Sequence, residues 1–380
     1  MSSPRILLAA SEVPALGGSA TASYDLFRLL RERGHDVHYA SLLNEDDAAW
    51  CELEIGPHMG NPAGLPHVHT IRVTEPARQA SPGITRLVRD LAPDVMAGFG
   101  FTASQRLKNA EPDRPVAFVT GSCRQAQDYV TSGRARDAND LQQQLARGTL
   151  TRRIVHQDEA RAVALCDLVI THSRLTLDMM TTFFPGNTGK IWPGVISFAE
   201  WIAEPARAMR HQARPFQDRD IDVLCVATDW SRREKNYPLV AAVAKRLGTA
   251  RVHVVGAVPH RLSGVSHHGF IGRRDELFAL MGRSRCVACP SLIDAAPGIV
   301  FEASALGCNV VASRNCGNWD VCDPGLLADP LGVETLVARI LLALERPPGT
   351  APAMASPHSI EKLVEVLGAL AQPIGKGRAA

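Results

Sequence analysis

Short apolar runs alternate with longer amphipathic stretches from one end of the chain to the other. Ile6–Ala10 is a continuous apolar run of strand length, and residues 20–33 carry Ala22, Leu26, Leu29 and Leu30 at helical spacing. Gly34 marks the end of that helix and Val37–Leu42 returns as a strand. This is a βαβ unit, the building block of a doubly wound parallel sheet. Further strands are predicted at Val68–Val73, Val95–Phe99, Val116–Thr120 and Leu168–Thr171, with helical stretches at Gly83–Leu91 and Asp137–Cys166. Between 185 and 220 the rhythm breaks, because Pro185, Gly186, Gly189, Pro193, Gly194, Pro205 and Pro215 punctuate a charged stretch that reads as a linker. The alternation then restarts. Strands at Asp222–Ala227, Arg251–Val255, Cys286–Cys289 and Asn309–Ala312 are interleaved with helices at Tyr237–Leu247, Asp275–Gly282, Gly298–Leu306 and Val333–Leu344. A last amphipathic helix, Ile360–Leu370, follows the Pro-rich 347–357. The expected class is α/β with two similar halves.

Composition narrows the function more than the fold. The chain has 380 residues, which suits two domains. With 46% hydrophobic and 21% charged residues it is neither disordered, collagenous nor coiled-coil. Lys and Arg total 41 against 39 Asp and Glu, a net charge of +2, and aromatics are only 5%. That leaves no general field for a polyanion and few stacking platforms, so no nucleic-acid partner is expected. No window supplies the ~20 apolar residues of a membrane span, and the first apolar run is too short for a secretion signal. Nine scattered cysteines argue against a disulfide framework and for a reduced, cytoplasmic protein.

The chemistry concentrates in three segments. In the stretch from Pro290 to Gly307 a strand ends at Cys289, a loop carries Asp294, and Pro297-Gly298 opens a helix. Backbone N–H groups of a first helical turn lack partners and attract an anion. Glu302 lies one turn in, on the same face as Gly298, so two carboxylates separated by seven residues bracket a phosphate-sized positive spot. A carboxylate placed there can accept from two neighbouring hydroxyls, as the acidic residue of dinucleotide folds does with ribose. The second segment, 228–237, follows the strand ending at Ala227 and carries Arg232, Arg233 and Lys235. In open α/β sheets ligands sit beyond the carboxyl ends of strands, so these cations face the same crevice. They have the charge to neutralise a departing diphosphate without a metal cluster. The third is Gly17-Gly18 after the first strand, where glycine lets backbone approach a phosphate or sugar closely. It is not the G-x-G-x-x-G fingerprint of a nicotinamide oxidoreductase.

Together these segments resemble the glycosyltransferase family 4-like retaining enzymes, the glycosyl transferases group 1, of the GT-B fold. The resemblance touches most of the chain: Gly17-Gly18, the run Arg33 to Val37, Asp167 to Ser173, Lys190 to Val195, Arg232/Arg233 with Lys235-Asn236, and Asp294 to Glu302 with Gly307. The last is similar to the family's E-x7-E element. The resemblance implies two Rossmann-like doubly wound domains facing a central cleft. Residues 1–195 would form the acceptor domain, 196–220 the linker and 221–357 the nucleotide-sugar domain, with the final helix, 358–372, packing back on the first. Glu302 would hold the donor ribose, Asp294 the donor sugar, and Pro297, Gly298 and Ile299 the sugar or phosphates. Arg232 or Arg233, with Lys235, would hold the diphosphate, and Phe270 and Ile271 would pack the base. Gly17, Gly18 and Ser122 would form the acceptor and phosphate loop. The implied reaction is transfer of a sugar, with retention and without a metal or other cofactor, from a nucleoside-diphosphate-sugar to a hydroxyl of a small molecule, glycan or glycolipid.

Two positions depart from the family pattern. The first carboxylate is Asp294 where members usually have Glu, and the strand Val116–Thr120 is followed by Gly121-Ser122-Cys123-Arg124 where members commonly have a His. Ser122 can donate a hydrogen bond but cannot act as a base near neutral pH. A non-catalytic protein of the same fold that binds a sugar nucleotide, and a sugar-nucleotide 2-epimerase, therefore stay as alternatives. Other signals read as structure. Cys286 and Cys289 lie in an apolar strand whose alternation sends the two sulfurs to opposite faces, and His67/His69 and His267/His268 lack companions. Cys316 and Cys322 flank Trp319 in a turn-rich stretch. The Arg-rich region 124–161, with Arg147, Arg152 and Arg153 around Gly148, suits a charged helix face or contact with an anionic acceptor or membrane surface.

Overall fold

A computed structural model describes residues 4–12, 18–44, 66–151, 153–248, 251–318, 322–348 and 359–372. They form two parallel sheets. The first contains β1 (Ile6–Ala10), β2 (Val37–Leu43), β3 (Val68–Arg72), β4 (Val95–Phe99), β5 (Val116–Thr120), β6 (Leu168–Thr171) and β7 (Ile191–Val195), in the order β3-β2-β1-β4-β5-β6-β7. The second contains β8 (Ile221–Asp229), β9 (Val252–Ala257), β10 (Ser266–Gly269), β11 (Ser284–Cys289), β12 (Asn309–Ser313) and β13 (Leu327–Ala328), in the order β10-β9-β8-β11-β12-β13. Both reverse direction beside their first strand, at β1/β4 and β8/β11, which opens a crevice at the carboxyl ends of those strands.

The continuous apolar runs have their cause here. β1, β4 and β5 are buried at every position, because helices cover both faces of a parallel sheet. Along β1, Ile6, Leu8 and Ala10 face one apolar cluster while Leu7 and Ala9 face another. The first cluster is shared between the halves. It joins Leu26 of the first helix to Trp201, Phe301 of the second half and Ile360 of the last helix.

The stretch expected as an interdomain linker is more structured than its punctuation suggests. Residues 191–195 form β7, and Ala199–Ala208 is a helix despite Pro205. Phe198, Trp201 and Ile202 stand at helical spacing and are buried, Trp201 completely. That apolar face drives the helix against Gly298–Ala305, and it outweighs one proline near the helix end. The helix Ser359–Ala371 lies against β4 and the Ala199 helix. Its start is held by Glu200, whose Oε2 accepts from Ser359 Oγ at 3.0 Å and Ile360 N at 3.1 Å. Arg33 donates to both Glu200 and Glu361.

One helical expectation needs correction. Asp137–Cys166 is two helices, Ala138–Ala146 and Gln157–Leu165, broken after Gly148 adopts a positive φ. Asp137 caps the first by accepting from Asp140 N at 2.7 Å. His267 and His268 lie on the edge strand β10, His268 at the surface.

Candidate active site

One cleft of about 610 Å³ opens at the carboxyl ends of the two sheets and is lined from both halves. Its second-half wall starts with the loop after β8. Trp230, buried, donates from Nε1 to Val255 O at 2.8 Å and pins the loop's start. Asn236 pins its end, in the left-handed region at φ 62°, with Nδ2 donating to Pro290 O and Pro330 O at 2.9 and 2.8 Å. Between these anchors Lys235 reaches Asp294 Oδ2 at 2.5 Å. Burial alone would pull its ammonium down, but Asp294 beside it holds it above its usual range. Arg232 lines the cleft and pairs with Glu234. Arg233 is exposed and is not part of the wall. The sequence could not separate the two arginines; the structure puts only Arg232 on the cleft.

The 294 loop is held by the segment after β12. Asp294 N donates to Asn315 O at 3.0 Å, and Gly317 N donates to Asp294 O at 2.8 Å. Asn315 Nδ2 reaches Leu292 O at 2.7 Å, and Asn318 Nδ2 reaches Pro297 O at 3.0 Å. Gly317 passes so close to Ala295 O that a Cβ there would stand 1.7 Å from it, a place only glycine can fill. These buried asparagines and Gly317 carry no motif, and the sequence reading missed them. Asp294, Pro297, Gly298 and Ile299 all line the cleft, with the Gly298–Ala305 helix pointing its first turn into it.

Glu302 lines the cleft one turn further on, and its partner was also missed. Arg274, the first residue of the Arg274–Gly282 helix, donates from Nη2 to Glu302 Oε1 at 2.8 Å and from Nη1 to Asp25 Oδ2 at 2.6 Å. Asp25 belongs to the first half, on the Gly18–Glu32 helix. Burial pushes its carboxyl up to about 6, with Arg274 opposing the shift. Arg274 follows Arg273, and nothing in the spacing distinguishes them. Arg273 pairs locally with Asp275 at the surface. Phe270, Ile271 and Gly272 complete this side of the cleft.

The first-half wall includes Gly18, Thr21, Ser122, Arg124 and Gln127. Gly17 lies outside the described residues. Ser122 sits in a tight turn, its N–H donating to Thr120 Oγ1 at 3.2 Å while Thr120 Oγ1 donates to Ser122 O at 2.7 Å. Arg124 stands over the Phe101 ring, 5.9 Å from its centre. No His follows β5, but the neighbouring strand brings His172 against Gly121. His172 is buried between Phe99 and Phe198 with Nδ1 donating to Ile196 O at 3.0 Å. Burial drives its pKa down to about 3, so it is a neutral packing group outside the cleft wall.

The remaining signals fall outside the cleft. Cys286 and Cys289 belong to clusters on opposite faces of the second sheet. Cys289 Sγ and Cys316 Sγ lie 3.8 Å apart beneath the 294 loop, both buried as free thiols. Cys322 is buried; Trp319 and Arg152 lie outside the described residues, while Arg147 and Arg153 are exposed. The histidines do have companions: His38 Nδ1 is 3.2 Å from His69 Nε2, and His253 Nδ1 is 2.9 Å from His268 Nε2. Among the described residues no group of three or more His, Cys, Asp or Glu is arranged to hold a metal ion, and no helix is long and apolar enough to cross a membrane.

Known proteins align with this geometry in two ways. Residues 220–346, which contain Arg232, Lys235, Arg274, Asp294 and Glu302, match the family described as glycosyl transferases group 1. No curated protein matches the chain. Among solved structures, HepE of Anabaena in complex with UDP-glucose is similar at 15% identity and a TM-score of 0.62, over 96% of this chain and 99% of that one. Sucrose-phosphate synthase of Thermosynechococcus elongatus gives 15% identity and a TM-score of 0.61, over 97% and 96%. An α,α-trehalose-phosphate synthase of Burkholderia xenovorans, in complex with glucose-6-phosphate, gives 13% and 0.56, over 96% of each chain. At these identities the likeness is one of fold, and it extends over nearly the whole chain: two Rossmann-like domains face each other across the cleft in the GT-B arrangement.

Proposed function

We propose that this protein is a glycosyltransferase that moves a sugar from a nucleoside-diphosphate-sugar to a hydroxyl acceptor, with retention and without a metal. The observation that carries the reading is the convergence of Asp294, Glu302, Lys235 and Arg232 around the first turn of the Gly298–Ala305 helix, in one cleft. The donor's parts match that wall in order. Glu302 accepts from the ribose hydroxyls, and Phe270 and Ile271 flank the base. Arg232, Lys235 and the N–H groups at Gly298 and Ile299 take the diphosphate, where charge grows as the sugar departs. Asp294 accepts from hydroxyls of the transferred sugar. The acceptor enters over Gly18, Ser122 and Arg124, and its proton passes to the leaving phosphate, a route that asks no base of Ser122 or the buried His172.

The likeness to structures holding UDP-glucose and glucose-6-phosphate supports a sugar nucleotide on one side and a sugar-like acceptor on the other. A screen of melting midpoint against UDP-, GDP-, ADP- and TDP-glucose tests the donor half, since a ligand that binds only the folded state raises the midpoint by mass action. Product analysis with the selected donor and an acceptor panel tests transfer and anomeric configuration. Binding without turnover on any acceptor would replace the enzyme by a sugar-nucleotide-binding scaffold. No shift with any donor would remove the reading altogether.

A further inference from the structure

We propose that Arg274 is a positioning residue that ties capture of the donor by Glu302 to closure of the cleft, through its second ion pair to Asp25 across the domain interface. The inference rests on the donor-site reading above and adds a residue and a coupling to it.

The geometry is specific to a guanidinium. Its planar fork offers two nitrogens to two carboxylates at once, Nη1 to Asp25 at 2.6 Å and Nη2 to Glu302 at 2.8 Å, which a lysine ammonium cannot copy with the same rigidity. Nη2 also reaches Ile202 O at 3.4 Å, so the helix Ala199–Ala208 joins the same node. The guanidinium stands over the Phe278 ring, 5.2 Å from its centre. Its Nε is buried with no hydrogen-bond partner. Three helices from both halves therefore meet on one side chain. Glu302 gives one oxygen, Oε1, to this node and also lines the cleft, so the same carboxylate faces Arg274 and the donor site.

Two carboxylates share one cation here, and the arrangement sets a direction. With Asp25 ionised, Arg274 is held from both domains and Glu302 is presented to a closed cleft. Burial has pushed Asp25 up to about 6. The charged and titratable groups facing it are Arg274 and Glu302 from the second half and Arg28 and Tyr24 from its own helix. Above about 6 Asp25 is ionised and the cross-domain half of the node is a full ion pair.

The test compares the full-length protein with Arg274→Lys, Asp25→Asn and Glu302→Ala, using UDP-, GDP-, ADP- and TDP-glucose as probes. Calorimetry and small-angle scattering, each with and without the best probe, are run at pH 7.5, where Asp25 is ionised. Arg274→Lys is expected to weaken donor binding about tenfold, the loss of one charge-assisted bond. Asp25→Asn, close in shape to the native side chain, should weaken binding at pH 7.5 and abolish ligand-induced compaction. A merely structural Asp25 would leave the compaction unchanged. If Glu302→Ala binds every probe like the native protein, the donor assignment fails and the coupling with it. If Glu302→Ala loses binding while Asp25→Asn keeps the native affinity and compaction, the coupling alone is overturned.

Discussion

Asp25 gives a quantitative expectation for stability. Its carboxyl is 6% exposed and sits against Arg274. Burial still wins over the cation and raises its pKa from 3.8 to about 6. A group whose folded pKa lies above its unfolded value lends stability that is fully present below the unfolded value and lost as pH rises through the folded one. For Asp25 the window runs from about 3.8 to about 6. At 1.36 kcal/mol per unit, the loss across it is ~3 kcal/mol. The perturbation is Asp25→Asn, which removes the titration and little volume. The assay is urea unfolding of native and variant protein at intervals from pH 4 to 7.5, followed by a probe of the domain interface such as Trp201 fluorescence. The native-minus-variant stability should fall by ~3 kcal/mol between pH 4 and 6.5 and be flat above it. Subtraction removes the titration of every other group. A flat difference, or one rising with pH, would show that Arg274 rather than burial governs Asp25, and the reasoning would be wrong.

Asp294→Asn and Lys235→Met should each destabilise the protein by ~3 kcal/mol, whereas the double variant should cost clearly less than their sum, because removing one member of a largely buried pair strands the charge of the other; denaturation midpoints of the three variants test the non-additivity. Arg232→Ala should weaken donor binding at least tenfold, whereas Arg233→Ala, off the cleft wall, should change it less than twofold; titration calorimetry with the selected donor separates them. Gly256→Ala should cost roughly 3 kcal/mol or prevent folding, since residue 256 holds φ at +116° and a Cβ would stand 1.7 Å from Ala227 O. Expression yield and melting midpoint report that outcome.

Much of the architecture was legible in the sequence because parallel strands are buried on both faces and show as unbroken apolar runs. β1, β4, β5 and β6 were read to within a residue or two. The helix Ala199–Ala208 was not, because a proline and its charged neighbours masked the short apolar face of Phe198, Trp201 and Ile202. The break inside 137–166 was missed for the opposite reason: polar helix surface continues smoothly into polar loop, and only Gly148 marks the change. At the cleft, residues with local signatures were visible. Asp294, Gly298 and Glu302 share one strand-loop-helix turn, and their spacing alone placed two carboxylates beside a helix start. Arg274 has no such signature. Its partners are 249 positions upstream and 28 downstream, so only the approach of the two domains reveals it. The same holds for Asn315, Gly317 and Asn318, whose work is to hold another loop's carbonyls and amides.

That distribution of partners bears on why a nearly neutral chain could select a small charged donor. The second-half cations on the cleft wall are already paired, Lys235 with Asp294, Arg232 with Glu234, and Arg274 with Asp25 and Glu302. A simple anion gains little there. It could take the cations only by leaving Asp294 or Glu302 without a partner in a partly buried wall, which costs more than an exposed exchange would. A ligand that brings hydroxyls for the carboxylates and phosphates for the cations in the same molecule satisfies both halves of each pair at once. A nucleoside-diphosphate-sugar has that order of groups: ribose, diphosphate, sugar. Inorganic pyrophosphate has only the middle part. The balanced cleft should therefore bind the sugar nucleotide far more tightly than pyrophosphate, and the preference should shrink in Asp294→Ala and Glu302→Ala, where the bare cations become available to any anion. Competition by pyrophosphate against the selected donor measures it, and equal inhibition of native protein and both variants would show that the carboxylates play no part in the selection.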